Sequence, residues 1–237
     1  MENWLERTEL LIGTEGVERL QDARVAVLGL GGVGSAAAEG LCRAGIGHLL
    51  LIDHDTVSLT NLNRQLIATQ AAIGQKKALA MAERLLSICP DGDFTPADIF
   101  YLPENSAFLY DWQPDYVVDA IDTVTAKLHL AQECRLRGIP LITCLGTGNR
   151  LDPSLLRVGD IAETANGCGC GLARVMRREL RRRGIQKQTV LYSLEPPIPA
   201  VCPGSAHGRH APGSMAFVPP AAGLLIASWV TRQLLGR

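Results

Sequence analysis

The chain has 237 residues, 47% of them hydrophobic, and a formal net charge of −1. That length suits one domain with a modest extension, and the apolar share is enough for a sizeable core. Near-neutrality excludes a global field that gathers nucleic acid, so any polyanionic partner must use a local patch.

In chain order, residues 1–22 read as an N-terminal helical arm. A β-run at 24–28, a helix over 33–44 and a second β-run at 48–53 make a βαβ unit. Helical patterns follow at 61–67, with Asn61 as a cap, and at 75–88, where Leu79, Ala82, Leu85 and Leu86 fall at helical spacing. "DFTPAD" is a weak strand; "DYVVDAID" and "PLITC" are strong ones, separated by a helix over 124–137. Residues 23–150 therefore predict a Rossmann-like, doubly wound, mostly parallel α/β sheet with right-handed crossovers.

The texture then changes, and 151–237 read as a C-terminal extension of the same domain. "LLRVGDI" and "TVLYS" are strand-like around an arginine-rich helix over 172–183. The long unpatterned stretch 195–214 reads as a crossover loop. The longest apolar run, 215–230, is broken by Pro219 and Pro220 and is too short for a membrane span; it reads as a strand running into a buried helix.

Gly29, Gly31 and Gly34 in "VLGLGGVGS" fit G-x-G-x-x-G, and Asp53 ends the next β-run where a dinucleotide enzyme keeps its ribose-binding carboxylate. Taken alone, this signature says NAD. After Asp53 come Asp55, Asn61, Arg64 and Gln65, and then Lys77 early in the next helix. A pyrophosphate is largely accommodated by a helix N-terminus, whereas a triphosphate needs fixed cations and a metal. Arg64 and Lys77 supply the cations, and Asp122 at the tip of "VVDAID" is placed to hold Mg²⁺. Each residue also has a plainer reading: Arg64 and Lys77 as solvated charges, Asp122 as a cap for the helix that follows. Their joint occurrence, in order, carries the case.

Gly-Leu-Gly-Gly-Val-Gly, Asp-x-Asp-x-Val-x-x-x-Asn-x-x-Arg-Gln, Gly-Gln-x-Lys and Asp-Ala-Ile-Asp together resemble the ubiquitin-activating-type adenylating enzymes of the MoeB/ThiF/HesA superfamily, from about Arg7 to Gly148. The resemblance implies ATP and Mg²⁺ as cofactors. Gly29, Gly31, Gly32 and Gly34 would line the nucleotide with Asp55, Asn61 and Gln65, while Asp53 binds the ribose. Arg64 and Lys77 would hold phosphates and Asp122 the magnesium. Arg7 matches an N-terminal arginine that reaches the partner subunit's ATP, which implies a homodimer.

The segments "GTGNRLDPSLLRVGDI", "LARVMRRELRRRGI" and "PGSMAFVPPAAGLLIASWV" resemble the tRNA threonylcarbamoyladenosine dehydratases within that superfamily. This implies adenylation of a threonylcarbamoyl carboxylate on tRNA, followed by ring closure; a cysteine desulfurase and sulfur-acceptor system is a further partner it allows. Arg174, Arg177, Arg178, Arg181 and Arg182 are the candidate RNA contacts, with Arg174, Arg178 and Arg181 on an outer face opposite Leu172, Val175, Met176 and Leu180. Adenylation of a ubiquitin-like or sulfur-carrier protein and a non-catalytic nucleotide-binding scaffold stay open as alternatives.

Seven cysteines without a signal-like N-terminus predict a reducing, cytoplasmic setting. No C-x-x-C occurs, so a tetrathiolate zinc ribbon is not expected. Cys42, Cys89 and Cys134 read as small buried hydrophobes, and Cys144 ends a strand near the crevice. Cys168 and Cys170 form a C-x-C of open role. Cys202, near His207 and His210, is the candidate thiol if acyl transfer to protein occurs.

Overall fold

A computed structural model describes residues 3–199 and 212–237. Its centre is β1 (Arg24–Leu28), a run of apolar residues buried along nearly its whole length. β1 pairs in parallel with β2 (His48–Ile52) on one side and β4 (Tyr116–Asp119) on the other. The seven strands run β3-β2-β1-β4-β5-β7-β6, with β3 (Asp93–Ala97), β5 (Leu141–Cys144), β6 (Leu156–Asp160) and β7 (Thr189–Ser193). All pairings are parallel except β6 with β7, so the antiparallel strand lies at the edge. Pro96 sits in the opposite edge strand, β3, where its missing N–H disturbs least.

Helices cover both faces. α1 (Glu6–Asp22), α2 (Gly34–Ala44), α3 (Lys77–Leu86) and α7 (Val218–Leu234) contribute to the core on one side. α4 (Ala107–Asp111), α5 (Val124–Arg137) and α6 (Gly171–Arg182) pack on the other. Chain direction across the sheet reverses between β1 and β4, and the crevice outside their carboxyl ends is where an open sheet of this kind accepts a ligand.

Several sequence expectations need correction. Residues 61–67 form no helix: a 3₁₀ turn spans Leu59–Asn61, and hydrogen-bonded turns follow. Instead of capping a downstream helix, the Asn61 side chain bends back to accept the Ser58 N–H at 3.0 Å. The 75–88 helix begins at Lys77, because Lys76 is drawn into a β-bridge with Thr56. Residues 212–217 form no strand leading into the terminal helix; Pro219 and Pro220 instead occupy its first turn, where a preset φ and a missing N–H cost least. Cys89 lies beyond the end of α3 and is half-buried, unlike Cys42 and Cys134. No helix of the described residues is long and apolar enough to cross a membrane.

Candidate active site

The glycine turn is built by close approach. Gly29 has φ +84°, and a Cβ there would lie 2.7 Å from the Ala120 carbonyl oxygen, so only glycine lets the turn cross β4. A Cβ on Gly34 would lie 1.7 Å from the Gly29 carbonyl oxygen. Gly34 thus serves to seat α2 against the turn and does not line the crevice, whereas Gly29, Gly31 and Gly32 do.

The crevice is a cavity of about 320 Å³ into which five separated segments project: the glycine turn, the end of β2 through Gln65, the start of α3, the loop after β3, and the end of β4 leading into α5. Asp53, Asp55, Asn61, Arg64, Gln65, Lys77 and Asp122 all line it, as the sequence predicts. Arg7 does not; it lies exposed on α1.

Asp53 is more committed than expected. Its Oδ2 accepts the Leu30 N–H at 2.6 Å and its Oδ1 accepts the Asp55 N–H at 2.8 Å, which pins the glycine turn to the end of β2. Lys77, only 6% exposed, donates to Asp55 Oδ2 at 2.8 Å. Burial pulls the Asp55 pKa upward, but the Lys77 hydrogen bond and charge outweigh it and hold the carboxyl below its ordinary value. The ammonium is therefore anchored at the cavity wall.

Arg64 Nη1 donates to the Thr60 carbonyl at 3.0 Å and to Asn63 Oδ1 at 2.9 Å. Its Nε and Nη2 have no hydrogen-bond partner among the described residues. Gln65 Oε1 is buried in the cavity wall without a partner, the condition of an acceptor awaiting a ligand donor.

For a divalent cation the donors differ in availability. Asp53, His54 and Asp55 cluster closely enough to hold one, yet both Asp53 oxygens already accept N–H groups and Asp55 is paired with Lys77. Asp122 is exposed, lines the cavity and has no ion pair or hydrogen bond among the described residues. It does not cap α5, whose N-cap is Thr123 with no side-chain bond. An open carboxylate oxygen of this kind suits Mg²⁺.

The ThiF family profile matches residues 5–237, nearly the entire chain. The chain belongs to the ThiF family. This ThiF-family chain is 42% identical to a tRNA threonylcarbamoyladenosine dehydratase of Bacillus subtilis, over 97% of its own length and 93% of the relative's. The Escherichia coli enzyme of the same name is 43% identical over 68% of this chain and 61% of the relative. Crystal structures of E. coli tRNA N6-threonylcarbamoyladenosine dehydratase superpose with a TM-score of 0.87 in complex with AMP and 0.86 in complex with ATP, each at 34% identity over 97% of this chain and 93% of that one.

Other wall residues escaped the sequence reading. His54 and Phe100 stack edge to face, with ring centroids 4.5 Å apart, and Tyr101 lies beside them in the lining. Phe100 and Tyr101 follow β3, outside every motif; the one usable signal is that they lie past a strand's carboxyl end. Beneath the cavity, Lys127 and Asp119, both 0% exposed, form an ion pair at 2.9 Å, and Lys127 also donates to the Cys144 carbonyl at 2.8 Å. Asp119 Oδ1 accepts the Ile121 N–H at 3.3 Å, so the pair braces the loop that carries Asp122.

On α6, Arg174, Arg178, Arg181 and Arg182 are exposed and Ala173, Met176 and Leu180 form the buried stripe, with Leu172 and Val175 half-buried beside it. Arg177 departs from the expectation: it is half-buried and donates to Thr164 Oγ1 at 2.8 Å. Glu179 pairs with Arg178, Arg182 and Arg183, which dilutes the positive face. Among the cysteines, burial pushes the Cys144 thiol up to about 12, so it is no nucleophile. Cys202, His207 and His210 lie outside the described residues.

Proposed function

We propose that this chain adenylates the threonylcarbamoyl carboxylate of tRNA threonylcarbamoyladenosine with ATP and closes it to the cyclic form. The observation that carries the reading is the convergence of Arg64, Lys77 and Asp122 on one cavity over a glycine turn. A dinucleotide leaves those three residues without a task; a triphosphate employs all of them. The names of the relatives supply the acid.

The carboxylate oxygen attacks the α-phosphorus, the bond to the β-phosphate oxygen breaks, and pyrophosphate leaves. Lys77 and Arg64, both in the cavity lining, would offset the charge gathering on that leaving group. Mg²⁺ held at Asp122 would supply Lewis-acid stabilisation of the same phosphates. Asp53 keeps the glycine turn in place, and the exposed Phe100 ring offers the base an aromatic contact. The carbamoyl nitrogen then attacks the activated carbonyl and expels AMP, so the water formally lost leaves as ATP converted to AMP and pyrophosphate. Intramolecular attack reaches effective molarities on the order of 10⁵ M or more, so no protein thiol is required. Arg7, exposed on α1, is free to reach a second subunit's nucleotide, which favours a homodimer, and a tRNA substrate implies action in the cytoplasm.

Pyrophosphate exchange into ATP tests the acid. We expect exchange with threonylcarbamoylated tRNA and none with ubiquitin-like or sulfur-carrier proteins; the reverse result replaces the substrate, and no exchange with any acid leaves a scaffold. Arg174, Arg178 and Arg181 are the exposed cations best placed for tRNA phosphates. Replacing all three by alanine should raise the Kd for tRNA and flatten the plot of log K against log salt by up to about 3 units. An unchanged slope in a filter-binding titration would remove α6 from the interface.

A further inference from the structure

The C-x-C at the start of α6 takes no part in this chemistry. Cys168 is buried and Cys170 is half-buried at the N-cap of α6. Gly169 between them has φ +57°, a left-handed bend that glycine adopts freely. The two cysteines flank that bend, two residues apart in the chain. The Cys170 sulfur rests on Gly146, where even a Cβ would come within 3.1 Å of it.

Arg150, 4% exposed, binds this corner together. Its guanidinium donates to the carbonyls of Gly146 at 2.7 Å, Gly148 at 3.0 Å, Glu195 at 3.0 Å and Cys168 at 3.4 Å. Cys170 thus sits at the start of α6, two residues from a second thiol, in a corner held together by a fixed buried cation. The Cys168 hydrogen bond, with smaller help from the Ala173 and Gly146 N–H groups and from Arg150, overcomes burial and holds the Cys170 thiol well below its ordinary value, while Cys168 is pushed up. Cys42 and Cys134, by contrast, are buried and pushed up to about 12 by desolvation. Cys170 is half-buried, whereas Cys168 is buried.

We propose that Cys170 is a nucleophilic thiol for hydroperoxides and that Cys168 is its resolving partner, so that the pair closes to a disulfide. The Cys170 thiolate attacks the distal peroxide oxygen and the O–O bond breaks. The departing oxygen takes a proton and leaves as water or alcohol, and Cys170 becomes a sulfenic acid. Cys168 sulfur then attacks Cys170 sulfur; hydroxide leaves, accepts the Cys168 proton and departs as water. Two electrons pass from the pair to the peroxide, and a dithiol reductant reverses the change by exchange. The bond closes beside Gly146 and Arg150, and neither cysteine is among the residues assigned to adenylation.

The test uses the full chain and hydrogen peroxide, followed by alkylation and peptide mapping. Trypsin places both thiols in the peptide 158–174 and Cys202 in another. We expect that peptide to lose two hydrogens and both alkylatable thiols. In Cys168→Ser, oxidation should stop at a sulfenic acid that dimedone traps on Cys170; in Cys170→Ser, Cys168 should stay reduced. Before oxidation, at pH 6, iodoacetamide should label Cys170 about tenfold or more faster than Cys89, the half-buried control. Equal labelling, a Cys170–Cys202 disulfide, or a peptide 158–174 that keeps both thiols would each overturn the proposal. None of these readouts depends on nucleotide or tRNA, so the result stands apart from the adenylation assay.

Discussion

Asp122→Ala should lower turnover by about 10²- to 10³-fold and leave the melting temperature within about 1–2 °C of the parent. The two halves of this expectation have separate causes. Activity falls because Asp122 is the one cavity carboxylate with no bond to protein among the described residues, and so the one whose charge is wholly available to a metal–phosphate ligand. Stability holds because the side chain is exposed, caps nothing and leaves no buried partner behind. Steady-state cyclisation and calorimetry on the same preparation check both. Turnover within a few-fold of the parent would take Asp122 out of the site, and a collapse of the melting transition would mean that its role is structural.

The contrast with Asp53 and Asp55 explains which parts of the site were legible in the sequence. All three acids fall at strand ends; position suggested a ligand for Asp53 and Asp122, and the family resemblance one for Asp55. Whether an acid is free depends on what reaches it from elsewhere: the Leu30 N–H on Asp53 and the Lys77 ammonium on Asp55 arrive from distant segments. Positions of Arg64, Gln65 and Lys77 were readable because each is tied at short range to a strand or helix terminus. His54 and Phe100 were not, since their contact joins the end of β2 to the loop after an edge strand. The 61–67 segment misled because Leu62, Leu66 and Ile67 recur at helical spacing, while the decisive event is a side chain bonding backward to Ser58. For α6 the outward arginines followed from periodicity alone, but Glu179 in their midst and the turn of Arg177 toward Thr164 depended on tertiary neighbours. The antiparallel setting of β6 had no local signal at all.

Lys127 was hidden for a related reason: one lysine in a helix with no clear apolar stripe reads as solvent-facing, and only the packing of α5 on β4 and β5 shows it fully buried. Lys127→Met should cost about 3–5 kcal/mol, because it strands the Asp119 carboxylate in the interior and frees the Cys144 carbonyl. For a chain of this length that is a fall in Tm of roughly 6–20 °C. The double variant Asp119→Leu with Lys127→Met should recover most of the loss, since removing both charges leaves no uncompensated ion. The sign of the pH dependence follows from Asp119. Burial raises its pKa and Lys127 opposes the rise; without Lys127 the folded-state value climbs further above the unfolded one. Such a group favours the folded state below its unfolded pKa, and that contribution is lost as pH rises through the folded value. The deficit of the single variant should therefore be largest at neutral and alkaline pH and shrink as the pH falls and Asp119 takes up a proton in the folded state. Because Asp119 also holds the Ile121 N–H, the single variant should lose adenylation activity even at temperatures where it remains folded. Thermal unfolding of the parent, the single and the double variant at several pH values decides the matter: a pH-independent deficit, or a double variant no more stable than the single, would mean that the buried carboxylate is not what Lys127 holds in place.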